Sequence, residues 1–235
     1  DTDKLNKNAC KLVKQPPKKM FETKEIRWLT EEEIQRFKEQ ASSTYKNGKP
    51  KYIYGLAISL VIYTGLRCGE LSALKWSDID FENKTINVAK NIITAFDYDG
   101  VNRIKARTQI QDSTKTSKGR KIPLIKSAEN ILNSIKSQYK EINPNGFIIN
   151  NSDKMVMIQV LSRSYLDIAN ACGIANPLGI HTLRHTFASL LIKKGVDIKI
   201  VSEILGHKDV SFTYNVYVHI LEEQKIQAMN LLDDI

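Results

Sequence analysis

The chain has 235 residues, 42% of them apolar, and a formal net charge of +9; that suits one large domain with a real core, and a polyanionic partner, nucleic acid before anionic membrane. No run of about eighteen apolar residues occurs, so no membrane-spanning helix is expected. Cys10, Cys68 and Cys172 are odd in number and scattered, which speaks against a zinc site or disulfide framework and for a reducing cytoplasm.

Residues 1–27 are polar and Lys-rich with Pro16-Pro17, as in a linker. The start, DTDKLNKNACK, has no initiator Met and no apolar signal region, and reads as a cut inside a longer protein. LTEEEIQRF then opens a helix, with Thr30 as N-cap and Glu33 at the capping-box position. YIYGLAISLVIYT, residues 52–64, is a buried apolar helix interrupted by Gly65, and GELSALKW begins another. Between residues 77 and 124 the pattern changes to β-branched or alternating stretches, TINVAK, NIITAFDY and RKIPLI, punctuated by Glu82-Asn83 and Asp99-Gly100. These predict a three-stranded antiparallel sheet with a long hairpin or loop, Pro123 confining the last strand to an edge or end. SAENILNSIKSQY, VMIQVLSRSYLDIANACG, HTLRHTFASLLIKKG and DIKIVSEILG return to helical spacing, with Gly173, Gly195 and Gly206 as stops. Residues 209–235 are largely helical with an acidic end. The fold class is α+β: mainly helical with a small inserted antiparallel β-sheet.

Charge is concentrated in residues 101–126, where Arg103, Lys105, Arg107, Lys115, Lys118, Arg120, Lys121 and Lys126 face only Asp112. A hairpin so loaded fits a phosphate-facing element. Walker A, GxGxxG, HExxH and GxSxG are all absent from the sequence, and SDIDFE reads as a turn rather than the converging carboxylates of a metal-dependent nuclease. The four histidines, His181, His185, His207 and His219, all lie in the final third. In HTLRH, His181 and Arg184 share a helix face, and a neutral histidine beside an arginine can serve a phosphate. In TGLRCGEL, Arg67 precedes a helix start where backbone N–H groups aim at an anion, and Glu70 can fix the guanidinium or cap the helix. Each motif alone is as compatible with surface pairs and helix-end histidines. In VSFTYNVYVHI, composition does not separate Tyr214 from Tyr217.

In the order TGLRCGEL, TKTSKGRKIPL, HTLRHTFASLLIKKG, VSEILGH and a tyrosine before VHI, the chain resembles the tyrosine recombinase family, nearest to integrases of phages and conjugative transposons from Gram-positive bacteria. The likeness runs over roughly residues 29–232. It implies that Arg67 and Arg184 hold the scissile phosphate and that Lys115 protonates the leaving 5′ oxygen, with Lys118 and Lys121 as competitors. It implies His181 as acid/base or phosphate donor, His207 as a donor to the phosphate, Glu70 as a supporting acid, and Tyr217 as nucleophile, with Tyr214 its packing neighbour. Arg103, Lys105, Arg107, Lys118, Arg120 and Lys121 would contact DNA. Residues 1–27 would be the end of a core-binding domain and its basic linker, and 28–235 the catalytic domain with a C-terminal exchange segment using Ile226, Met229, Leu231 and Leu232. The implied partners are double-stranded DNA attachment sites, further copies of the chain in a tetramer on DNA, and room for an accessory excision or DNA-bending protein, in a bacterial cytoplasm. No metal and no cofactor are called for. The alternatives are a DNA-binding regulator, since IKIVSEILGHKDVSFTYNVY also reads as a helix-turn-helix, and a type IB topoisomerase.

Overall fold

The computed structural model describes residues 27–100, 103–112 and 119–230. Helix α1 (Glu31–Ala41) starts at Thr30, whose hydroxyl accepts from the Glu33 N–H while the Glu33 carboxylate accepts from the Thr30 N–H, the reciprocal cap read from TEEE. The apolar stretch after it forms two short helices, α2 (Gly55–Ser59) and α3 (Val61–Thr64), rather than one. Gly65 ends α3 in the left-handed region at φ 63°, and α4 (Cys68–Ala73) follows at once.

The β region differs from the sequence expectation. The three-stranded antiparallel sheet is β1 (Ile79–Asp80), β2 (Thr85–Val88) and β5 (Arg120–Pro123), in the order β1-β2-β5. NIITAFDY is not in it. That segment lies in β3 (Lys90–Tyr98), which pairs with β4 (Arg103–Asp112) as a separate two-stranded ribbon. The basic residues of RIKARTQIQD hid a strand whose alternation is present underneath: Ile104, Ala106, Thr108 and Ile110 interleave with Lys105, Arg107, Gln109 and Gln111. Pro123 does fall on the edge strand, opposite Thr85, where its missing N–H costs no ladder bond.

Helices α5 (Lys126–Lys136), α6 (Ile158–Ala171), α7 (His181–Lys193), α8 (Ile198–Leu205) and α9 (Val210–Asn230) complete the described fold. The main core gathers Leu29, Phe37, Leu60, Leu71, Leu132, Phe147, Tyr165 and Leu183. A second, smaller core joins Phe187, Ile192, Val201, Leu205, Tyr217 and Ile220. Helix α7 belongs to both, through Leu183 at one end and Phe187 and Ile192 further along. No described helix is long and apolar enough to cross a membrane.

Gly65 marks the junction of the two cores. A Cβ there would stand 2.5 Å from the Phe187 ring, and the backbone is left-handed. Gly65→Ala is expected to lower unfolding stability by about 2–4 kcal/mol. Gly48→Ala, also left-handed but with nothing within 4 Å, should cost only about 1–2 kcal/mol. Urea denaturation of the two variants checks the difference.

Candidate active site

The turn after α3 builds the first part of the site. Leu66 and Leu71 are buried on either side, which pins Arg67 as the extended residue preceding α4. Glu70, in the first turn of α4, accepts the Arg67 N–H at 2.8 Å. At Gly69 a Cβ would lie 2.1 Å from Asn91 Oδ1 and 2.5 Å from the Ile92 carbonyl oxygen. Only a glycine lets β3 press this closely on α4, so the ribbon helps fix where Glu70 stands.

Three guanidiniums converge on the buried Glu70 carboxylate. Arg67 Nη1 donates to Oε1 at 2.8 Å. Arg120, from β5, donates from both Nη1 and Nη2, at 2.8 Å to each oxygen. Arg184, from α7, places Nη1 4.0 Å from Oε2. The same three residues meet the C-terminal end of α8. Arg120 Nε donates to the Ile204 carbonyl at 2.6 Å, Arg184 Nη2 to Leu205 at 2.7 Å, and Arg67 Nη2 to Gly206 at 3.2 Å. Gly206 is left-handed, φ 67°. The free carbonyls at a helix C-terminus carry partial negative charge and favour cations, so consecutive carbonyls of one turn serve as acceptors for the three arginines.

Positive charge is in excess. Burial alone would raise the Glu70 carboxyl, but hydrogen bonds and charge from Arg120, and then Arg67, hold it down to about 2, so it is ionised throughout the neutral range. Arg184 is lowered to about 9, by burial first and the Arg67 charge second. It remains protonated at neutral pH, as a cation short of negative partners. Three guanidiniums against one carboxylate leave a pocket that attracts an anion. The Arg67 side chain, 37% exposed, opens to solvent, whereas that of Arg120 is 15% exposed.

The histidines are tuned by that field. Arg184 Nη2 lies 3.0 Å from His207 Nε2. Arginine can only donate, so Nε2 accepts, the proton sits on Nδ1, and Nδ1–H donates to Thr213 Oγ1 at 2.7 Å. His207 is therefore neutral, its pKa lowered to about 4 by burial and then by Arg184, Arg67 and Arg120. His181 is exposed, with its pKa lowered by partial desolvation and by Arg184 and Arg67. His185 Nδ1 lies 2.9 Å from the Tyr217 hydroxyl, and burial first, then His181 and Arg184, lowers its pKa to about 4. Burial pushes the Tyr217 phenol well above its ordinary value, with Arg184 opposing.

The structure thus brings together Arg67, Glu70, Arg184 and His207, with His181 and Tyr217 within reach of the same charges. Three sequence expectations need correction. Arg120, read as a DNA contact, turns inward onto Glu70. The β5 alternation carried that signal: Arg120 shares a face with buried Ile122, and Lys121 points out with Pro123. Tyr214, read as packing, is 40% exposed, whereas Tyr217 is 1% exposed. The buried residue on that turn is Thr213, four positions before Tyr217, and α9 leaves helical geometry at Tyr217, φ −116° and ψ 16°. His207, read as a donor to the phosphate, instead accepts from Arg184 at Nε2 and donates from Nδ1 to Thr213. Arg107 forms a two-pronged pair with Asp97 across the ribbon, and Lys121 is exposed. Residues 1–26, Lys115, Lys118, Leu231 and Leu232, and the side chains of Arg103, Lys105 and His219, lie outside the described residues. Sequence reasoning missed the pairing of His185 with Tyr217 and of Thr213 with His207.

Comparison with known proteins finds a model described as the phage integrase family matching residues 27–224. A tyrosine recombinase XerC-like protein of Caldanaerobacter subterraneus is 33% identical, covering 100% of this chain and 62% of its own length. The ICEBs1 integrase of Bacillus subtilis is 26% identical, covering 98% of this chain and 60% of its own length. The chain thus spans less than two thirds of either relative. Among solved structures, the Tn1549 transposon integrase in complex with a circular intermediate DNA superposes with a TM-score of 0.66 at 21% identity, over 85% of this chain and 63% of that one.

The shifted histidines give a pH dependence. His185 and His207 take up protons near 6.5 when unfolded but only near 4 when folded. Their contribution to stability is complete above pH 6.5 and is lost as pH falls through 4. The melting temperature is expected to drop between pH 6.5 and 4, and to drop less in His185→Gln. Equal slopes for the two proteins would contradict the assignment.

Proposed function

The chain belongs to the phage integrase family of tyrosine recombinases, and from that membership we propose that it is the catalytic part of a site-specific DNA recombinase acting in integration and excision of a mobile element. The observation that carries this reading is the cationic pocket of Arg67, Arg184 and Glu70 with the Tyr217 hydroxyl beside it. A phosphodiester transition state gains negative charge, and preorganised guanidiniums with fixed backbone partners stabilise it without reorganising. The Tn1549 integrase carries circular intermediate DNA on the same fold, which supports duplex DNA as the substrate here.

The proposed reaction is a transesterification. Tyr217 Oη bonds to phosphorus, the bond to the 5′ oxygen breaks, and the DNA is left attached through a 3′-phosphotyrosine. The tyrosine proton passes to a base, for which His185, already paired with the hydroxyl, is placed. Lys115 returns a proton to the leaving 5′ oxygen. A 5′ hydroxyl from a second duplex then attacks phosphorus, the bond to Tyr217 Oη breaks, the phenol takes back a proton, and the restored backbone gives a Holliday junction after one exchange. The energy of the broken bond is kept in the covalent link. Because Tyr217 is buried, α9 must shift before its hydroxyl reaches a phosphate, and the break in helical geometry at Tyr217 is where such a shift would be taken up. The exposed Ile226 and Met229 of α9 would dock on a neighbouring protomer in a tetramer on DNA.

Incubating the protein with a nicked duplex carrying its attachment site, followed by a denaturing gel, should give a covalent protein–DNA band. The band should vanish in Tyr217→Phe and persist in Tyr214→Phe; a band retained in Tyr217→Phe rejects the nucleophile. Arg67→Ala should slow cleavage by about 10²–10³-fold. Affinity for DNA should fall steeply with salt as counterions are released at each phosphate contact, and a flat dependence would speak against a backbone-facing surface.

A further inference from the structure

Arg120 has no assigned role in strand cleavage, yet its guanidinium is fully committed inside the protein. Each of its three guanidinium nitrogens donates a hydrogen bond: Nη1 and Nη2 to the two oxygens of Glu70 at 2.8 Å, and Nε to the Ile204 carbonyl at 2.6 Å. Its side chain lies against Gly206, where a Cβ would stand 2.9 Å from Nη1 and 3.0 Å from Cδ. The left-handed glycine that ends α8 therefore also makes room for this side chain. Arg67 is held less firmly. Beyond Glu70, its guanidinium has the 3.2 Å bond to the Gly206 carbonyl, and it faces solvent.

We propose that Arg120 is a positioning residue for strand cleavage: it clamps the Glu70 carboxylate, and through it sets the aim of Arg67, while touching no phosphate itself. Oε1 of Glu70 accepts from both Arg67 and Arg120. A two-pronged fork fixes the plane of a carboxylate, and the plane of Glu70 decides where Arg67 Nη1 points. Without the fork, the carboxylate would keep the Arg67 N–H on Oε2 as its one fixed bond and could turn about it, carrying Oε1 and the Arg67 guanidinium with it. Lysine at this place would keep the charge but offer a single point in place of the fork.

The proposal rests on the recombinase reading, and its test separates the two. Full-length protein and its Arg120→Lys, Arg120→Ala, Glu70→Gln and Glu70→Gln/Arg120→Ala variants are given a nicked attachment-site duplex, with either a normal phosphate or a methylphosphonate at the scissile position. Single-turnover cleavage of the phosphate should fall by about tenfold or more in Arg120→Lys. In a Tyr217→Phe background, Arg120→Lys should leave the DNA dissociation constant within about twofold and its salt slope unchanged. The double variant should be no slower than the slower single one, because both substitutions break one unit. The methylphosphonate, lacking one charged oxygen, should narrow the gap between wild type and Arg120→Lys; a domain that was merely loosened would be slow on both substrates. If Arg120→Ala fails to fold, Arg120→Lys decides. Wild-type cleavage by Arg120→Lys, a salt slope lowered by about one phosphate contact, or equal slowing on both substrates overturns the proposal. Absence of a covalent complex with the wild type overturns the recombinase reading, and this proposal with it.

Discussion

One buried carboxylate facing three guanidiniums organises this domain. Glu70 could not remain ionised in the interior without Arg120 and Arg67, and those side chains would not hold their directions without it. Breaking such a buried pair by removing one partner typically costs about 3–5 kcal/mol, since it strands a charge away from water. The carbonyls of Ile204, Leu205 and Gly206 take a share of the same load. They bring α8 into the site as an electrostatic partner, although none of its side chains meets the arginines through these bonds. What remains after this internal pairing is excess positive charge, open to solvent at Arg67.

The rest of the fold serves that arrangement. Glu70 stands on α4, wedged by the ribbon through Gly69; Arg120 comes from the edge strand of the small sheet; Arg184 comes from the helix shared by both cores. Tyr217 belongs to the second core, together with Phe187 and Leu205. The cationic pocket and the proposed nucleophile are linked through α7, which both cores share. A shift of α9 would move the tyrosine without disturbing the main core.

Much of this was legible in the sequence. The cap at Thr30, the helix stops at Gly173, Gly195 and Gly206, and the edge position of Pro123 follow from local chemistry, and local chemistry prevailed. The ordered motifs located Arg67, Glu70, Arg184, His207 and Tyr217. Two things were hidden. The strand in residues 103–112 was masked by its charge, because basic side chains on an exposed ribbon resemble a loop. The inward turn of Arg120 was masked by its company: among so many basic neighbours it read as one more DNA contact, although its period with Ile122 placed it on the buried face. The bonds of His185 to Tyr217 and Thr213 to His207 depend on how α7, α8 and α9 pack, which no spacing along the chain specifies.

For strand cleavage, the Arg67 and Arg184 guanidiniums and the Tyr217 hydroxyl must meet at a single phosphorus. A structure of the protein on duplex DNA with vanadate in place of the scissile phosphate measures this directly. Arg67 and Arg184 should donate to equatorial oxygens of the same vanadate, with Tyr217 Oη at an apical position and Arg120 still forked onto Glu70. A vanadate held away from either the Arg67 or the Arg184 guanidinium, or capped by another tyrosine, would contradict this mechanism.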